Sequence, residues 1–144
     1  MSATEVANAS LEAAAGNFDM NRMSQYTAPT LTVDAPNGTT YAYRRFGPKG
    51  AIPVVFLQHF RGNLDNWDPA LVDDVATGRE VILVDNSGVG LSTGSTPHSV
   101  KGLARDVLAF IDALGLTEID LFGFSPGVSS HRKSSCCARA WYAG

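Results

Sequence analysis

The sequence predicts an α/β fold, a mostly parallel sheet with flanking helices. Three short apolar runs, 53–58 (PVVFLQ), 80–85 (EVILVD) and 119–122 (IDLF), have the length and β-branched or aromatic content of strands buried on both faces. Two stretches with helical signals separate them, and an alternating segment with a turn in its middle precedes them. A hairpin followed by strand–helix–strand–helix–strand is the order from which parallel sheets are built.

Residues 1–29 are rich in Ala, Asn and Ser with weak periodicity, and they read as a mobile leader. They carry glutamates and neither a basic start nor an apolar run, so no signal peptide is expected, and Met23 would serve equally well as a start. From Leu31, LTVDAPNGTTYAYRRFG alternates apolar and polar residues around Pro36-Asn37-Gly38, the pattern of a β-hairpin. The first buried run follows, then a polar loop, HFRGNLDNW. Residues 69–76 are expected to be helical, with Asp68 as cap and Pro69 in the first turn. The second buried run leads into a glycine-rich loop, NSGVGLSTG. Residues 99–114 carry apolar side chains at 100, 103, 107, 108, 110, 111 and 114, a helical period that Gly115 closes. The third run ends in Gly123-Phe124-Ser125-Pro126-Gly127. The expected organisation is a leader (1–29), a partial α/β domain (30–127) and an anomalous tail (128–144), without internal repeats.

Composition removes several function classes. The chain has 144 residues, 44% hydrophobic and 17% charged, with a net charge of -3. That length suffices for one domain with a real core. The charge gives no footprint for nucleic acid or for an anionic membrane surface. The longest apolar runs fall far short of the ~20 residues that cross a bilayer. A cytoplasmic domain without nucleic-acid or membrane partners is expected. The two cysteines, Cys136 and Cys137, are adjacent, which suits neither a disulfide framework nor a zinc site. No cofactor and no metal are expected.

The chemistry lies in residues 123–127. They fit G-x-S-x-G, and they stand directly after a buried strand, where a sharp strand-to-helix turn would lift the Ser125 hydroxyl above the sheet. Glycines at 123 and 127 fit a turn too tight for side chains. The pentapeptide by itself could equally be an ordinary strand exit. Its context is more specific. VVFLQHFRGNLDNWDP resembles the strand and oxyanion loop of α/β-hydrolases. VILVDNSGVGLSTG resembles their Asp-x-x-Gly-x-Gly-x-Ser loop, with Asp85, Gly88, Gly90 and Ser92 in register, and DLFGFSPG resembles their nucleophile elbow. The order and spacing match over residues 31–127. The nearest likeness is to the serine esterase and cofactor-free haloperoxidase-like branch, since dehalogenases and epoxide hydrolases would carry aspartate in place of Ser125.

The resemblance implies roles. Ser125 would be the nucleophile, transferring an acyl group to water from a small-molecule substrate, an ester. Backbone N–H groups at Phe60 and Arg61 would form one side of the oxyanion hole, with His59 shaping that loop. The other donor would come from the residue after the serine, and that residue is Pro126, which has no N–H. His98 reads as a solvated loop residue. In this fold the catalytic acid and histidine follow the serine. Within these 144 residues no Asp or Glu does, and the sole later histidine, His131, lies in the tail. The chain is therefore expected to be inactive as it stands, an N-terminal portion without present catalytic function. A nucleotide-binding module is a remote alternative: Gly88-Val89-Gly90 lacks a third glycine, and Thr96-Pro97 intervenes before any helix.

After Gly127 the pattern collapses. VSSHRKSSCCARAWYAG lacks the helical period expected behind an elbow. Back-translated with G or C at nearly every third position and read from each third base, it becomes VVAQEIVLLRPGLVRR, which resembles the post-elbow helix of these hydrolases and the Arg-Pro-x-Leu-Val segment that follows it. Free third bases contribute to that match. Two positions are forced, however: Cys136-Cys137 can give only leucine, and Trp141-Tyr142 only valine. A one-nucleotide frameshift near codon 127 is expected. A further expectation is that residues 119–122 form an unpaired sheet edge protected only by Asp120.

Overall fold

The computed structural model describes residues 23–59, 61–123 and 136–141. One mixed sheet contains β1 (Leu31–Asp34), β2 (Thr40–Phe46), β3 (Val54–Leu57), β4 (Val81–Val84), β5 (Glu118–Gly123) and β6 (Cys136–Trp141). Their spatial order is β1-β2-β4-β3-β5-β6. Helix α1 (Pro69–Ala76) links β3 to β4, and α2 (Val100–Ala113) links β4 to β5. β3 pairs in parallel with β4 on one side and β5 on the other. β1 and β2 extend the sheet antiparallel at one end, and β6 does so at the other.

Local chemistry sets most boundaries. At the hairpin tip Gly38 adopts φ 82°, and the Asn37 side-chain oxygen accepts the Thr39 N–H at 3.1 Å, which turns the chain from β1 into β2. The Asp68 carboxylate accepts the Ala70 N–H at 2.9 Å and starts α1 behind Pro69. The Ser99 hydroxyl accepts the Gly102 N–H at 3.0 Å and caps α2, which ends before Gly115 at φ 67°.

The apolar runs show no alternation because both faces of the central sheet are covered. Val54, Phe56, Val81 and Leu83 pack with Leu64, Trp67, Val72 and Ala76 on the α1 face. Val55, Ile82 and Val84 pack with Tyr41, Phe110, Ile111 and Ile119 on the α2 face. The connections account for the split. α1 crosses from β3 to β4, α2 returns past β3 to β5, and two right-handed crossovers running in opposite directions put their helices on opposite faces. The central strands are thus held from both sides, with ~1.5–3 kcal/mol from each large side chain buried.

Four features differ from the sequence reading. The expected mobile leader does not extend to Pro29: on the α1 face Met23 and Ala28 pack against the core and Gln25 is fully buried, while Tyr26, Thr27 and Pro29 are exposed. The Gln25 N–H donates to the Asp73 carboxylate at 2.8 Å, and its side-chain N–H to the Trp67 carbonyl at 3.2 Å. Polar, low-period residues there hold position through hydrogen bonds, which hydrophobic patterning does not report. Within α2, Val100 and Leu108 are exposed, because the face turned to the sheet is centred on Phe110 and Ile111. A short 3-10 turn, Leu64–Asn66, interrupts the expected polar loop. The fourth concerns β5, which is not an edge. β6 pairs with it antiparallel from Glu118↔Trp141 to Gly123↔Cys136. Nor is Asp120 an exposed guard: it is buried and ion-paired with Arg79 at 2.6 Å, while Arg79 also donates to the Ile52 carbonyl.

Candidate active site

Three parallel strands, β4, β3 and β5, point the same way, so the loops that leave their C-terminal ends gather at one rim of the sheet, where open α/β sheets bind ligands. The register is specific. Leu57, the last residue of β3, pairs with Gly123, the last of β5 and the first of Gly-Phe-Ser-Pro-Gly. The loop that begins at Gln58-His59 therefore leaves the sheet beside the strand end that leads to Ser125. Ser125 itself lies outside the described residues, as do Phe60 and Pro126. His59 is half-buried at the start of the loop, and Arg61 is exposed. His98 is exposed, as expected, and His131 falls outside the described residues. The crowding expected at Gly123 has no counterpart among the described residues: a Cβ there would meet none of their atoms within 4 Å.

Gln58, His59 and residues 61–64 are held largely by short-range bonds. The Gly62 N–H donates to the His59 carbonyl at 2.8 Å, closing a tight turn. A Cβ at Gly62 would stand 2.8 Å from the Gln58 Cβ, so the turn requires glycine. Beyond it, the Asn63 side chain accepts the Asp65 N–H at 2.9 Å, and the Asn66 side chain accepts the Asn63 N–H at 2.8 Å. That reciprocal cap generates the 3-10 turn.

The glycine-rich loop after β4 is the scaffold for this one. The buried Asp85 carboxylate accepts the Leu64 N–H at 2.7 Å with one oxygen and the Leu91 N–H at 3.0 Å with the other. Both loops thereby share one anion. The Ser92 hydroxyl donates to the Asp85 carbonyl at 2.8 Å and accepts the Ala42 N–H at 2.9 Å, tying the loop to β2. Gly90 adopts φ 55°, and a Cβ there would overlap the Asp85 carboxylate. Gly88, at φ 74°, would press on the backbone of Thr96 at 2.7 Å. The spacing Asp-x-x-Gly-x-Gly-x-Ser is thus a folding instruction. The side-chain N–H groups of Asn86 donate to the Gln58 and His59 carbonyls at 3.3 and 3.2 Å. The sequence reading found Asp85, Gly88, Gly90 and Ser92 as a motif and missed Asn86. The only signal for it is a polar residue directly after a buried strand.

Under the rim, Trp67 packs edge-on against Phe56 and Phe122, with ring centroids 5.0 and 5.7 Å away. This aromatic cluster joins the strand ends of β3 and β5 and stiffens the floor on which both loops stand. Among the described residues no group of three or more His, Cys, Asp or Glu side chains is placed to hold a metal ion.

The model of the alpha/beta hydrolase fold matches residues 52–127, more than half of the chain, including both of the loops just described and the segment Gly123–Gly127. The chain belongs to the alpha/beta hydrolase family. Among its relatives, a non-heme chloroperoxidase from Streptomyces lividans is 35% identical over 97 residues, 67% of this chain and 35% of that protein. A second non-heme chloroperoxidase, from Burkholderia pyrrocinia, is 35% identical over 86 residues, 59% of this chain and 31% of that one. The chain therefore spans about a third of the length of the curated relatives it matches. An alpha/beta hydrolase fold protein from Chitinophaga pinensis superimposes with a TM-score of 0.68 at 48% identity, covering 72% of this chain and 37% of that structure. An esterase from Rhodococcus sp. superimposes with a TM-score of 0.58 at 28% identity, covering 67% and 36%. Among the described residues of this hydrolase chain, no helix is long and apolar enough to cross a membrane.

Proposed function

We propose that the chain carries the nucleophile half of a serine carboxyl-ester hydrolase and that Ser125 is the attacking group. The supporting observation is the Leu57↔Gly123 pairing, which brings the loop at His59 beside the strand end leading to Ser125. In the reaction, a histidine takes the Ser125 proton while the hydroxyl oxygen bonds to the acyl carbon. Backbone N–H groups at Phe60 and Arg61 carry the negative charge on the acyl oxygen. The alkoxide leaves with that proton, and water then repeats the sequence to free the acid and restore Ser125. His59 shapes the oxyanion loop and does not act as the base.

These 144 residues do not complete that machinery, and we take them to be inactive alone. No Asp or Glu follows Ser125, and Pro126 cannot supply the second oxyanion N–H. Residues 128–144 are read as the product of a one-base frameshift that replaces the helix behind the elbow. The substrate is a small molecule, and the reading implies a cytoplasmic protein without nucleic-acid partners or metal. The chloroperoxidase relatives favour a second reading of the same site, in which peroxide replaces water as acyl acceptor. The test is a gene with one base restored at the Gly127/Val128 junction, assayed on short-chain p-nitrophenyl esters with and without peroxide. Turnover lost in Ser125→Ala is expected. An open frame that closes early, or turnover unaffected by Ser125→Ala, overturns the proposal.

A further inference from the structure

We infer that Arg44 is a positioning residue for the loop between β3 and α1, an inference that rests on the acyl-transfer reading above, in which that loop serves the acyl oxygen. Arg44 lies on β2, ahead of the residues 52–127 that the family model matches. It pairs across the sheet with Leu83, so it stands on the α1 face, where its side chain is only 16% exposed. A guanidinium covered to that degree needs acceptors. Arg44 finds them on two separate stretches of chain. Its Nη1 donates to the Gln25 carbonyl at 3.1 Å and to the Asp65 carboxylate, and its Nε donates to the Thr30 hydroxyl at 3.0 Å. One nitrogen therefore ties the N-terminal segment 24–30 to the 3-10 turn of the loop.

That turn is then gripped at three points. On its inner side the Leu64 N–H donates to the Asp85 carboxylate at 2.7 Å. On its outer side Arg44 holds Asp65. At its exit the fully buried Gln25 donates a side-chain N–H to the Trp67 carbonyl at 3.2 Å, while the Gln25 backbone N–H donates to Asp73 of α1 at 2.8 Å. A turn bonded at Leu64 alone can pivot about that bond, and the two further attachments oppose the motion. Placement matters in catalysis, because a displacement of about 1 Å at a site costs up to ~100-fold in rate. The Arg44–Asp65 pair adds little to global stability, since Asp65 is 56% exposed. Its effect lies in where the turn stands.

The test follows amide hydrogen exchange in the 144-residue chain by NMR. The Asn66 N–H, bonded to the Asn63 carbonyl at 3.1 Å, reports on the turn, and the Ala28 N–H, bonded to the Ser24 carbonyl at 3.0 Å, on the N-terminal segment. Arg44→Met keeps the stem and removes the donors. Exchange should rise about fivefold at Asn66 and about tenfold at Ala28, with Val55 and Ile82 unchanged. Asp65→Ala should match the change at Asn66 and leave Ala28 protected, and adding it to Arg44→Met should change Asn66 no further. Arg44→Lys should restore most of the protection at both amides, because a single nitrogen makes the bonds that join the two segments. In the frame-restored protein Arg44→Met should lower kcat about tenfold with KM unchanged, and Arg44→Lys should recover it. Unchanged exchange at Asn66, equal loss at Val55 and Ile82, additive effects in the double variant, no rescue by lysine, or an unaltered kcat would each overturn the inference. A frame-restored parent without turnover would count against the acyl-transfer reading, and the exchange rates would still decide whether Arg44 couples the two segments.

Discussion

Replacing Asp85 by alanine should destabilise the chain by about 3–4 kcal/mol, although Asp85 takes no part in the proposed chemistry. The substitution removes the acceptor of the Leu64 N–H at 2.7 Å and of the Leu91 N–H at 3.0 Å. A hydrogen bond to a charged group contributes ~1.5–3 kcal/mol, so two would contribute ~3–6. The lower part of that range applies, because Leu91 stands on an exposed stretch where water can replace the lost acceptor. Leu64 is buried, and its N–H has no such substitute. Asp85→Asn keeps one acceptor and turns an NH2 group toward the other donor, so an intermediate loss of about 2 kcal/mol is expected. Urea titration followed by tryptophan fluorescence measures both. With a slope of ~2 kcal/mol/M, the midpoint should fall by about 1.5–2 M for alanine and about half as much for asparagine. A midpoint shift below ~0.5 M for Asp85→Ala would refute the view that this carboxylate joins the two loops.

Other perturbations probe different parts of the molecule. Gly90→Ala forces a Cβ against the same carboxylate at a positive φ and should cost about 1–3 kcal/mol in the same titration. Deleting residues 136–144 removes β6, the strand that pairs with β5 on its outer side among the described residues; the shortened chain should aggregate in sedimentation velocity, where the parent does not. Arg79→Ala removes the ion pair that the buried Asp120 carboxylate makes at 2.6 Å. A loss of about 2–3 kcal/mol in urea is expected, less than for a fully buried pair because Arg79 is a third exposed. In the frame-restored protein, Pro126→Ala returns an N–H to the oxyanion hole and should raise kcat by up to ~100-fold, whereas unchanged turnover would show that the second donor lies elsewhere.

How much of this was legible in the sequence depends on what holds each element. The central strands were readable because burial on both faces leaves an uninterrupted apolar run, and 54–57, 81–84 and 118–123 fall within two residues of the expected spans. The start of α1 was readable because Asp68 is a chemical signal that acts over two residues, whereas the Ser99 cap of α2 was not singled out and its helix was read from its apolar period. The glycines of residues 85–92 marked the loop that supports the site. What escaped was long-range polar bonding. Gln25 reaches Asp73 and Trp67, and Asn86 reaches back to Gln58 and His59; no periodicity encodes partners so far apart in the chain. The pairing of β6 escaped for another reason. Residues 136–141 carry no strand pattern of their own, and the backbone groups of β5 accept any chain that can run beside them.

The most direct test of the central claim is labelling of the 144-residue chain and of its frame-restored counterpart with a fluorophosphonate, the adduct being located by mass spectrometry. Phosphonylation needs a serine activated by a base. The frame-restored protein should therefore be labelled at Ser125, and the 144-residue chain should show no more adduct than its Ser125→Ala variant. Stoichiometric labelling of Ser125 in the 144-residue chain would contradict its proposed inactivity, and an adduct in the frame-restored protein at any residue other than Ser125 would contradict the assignment of the nucleophile.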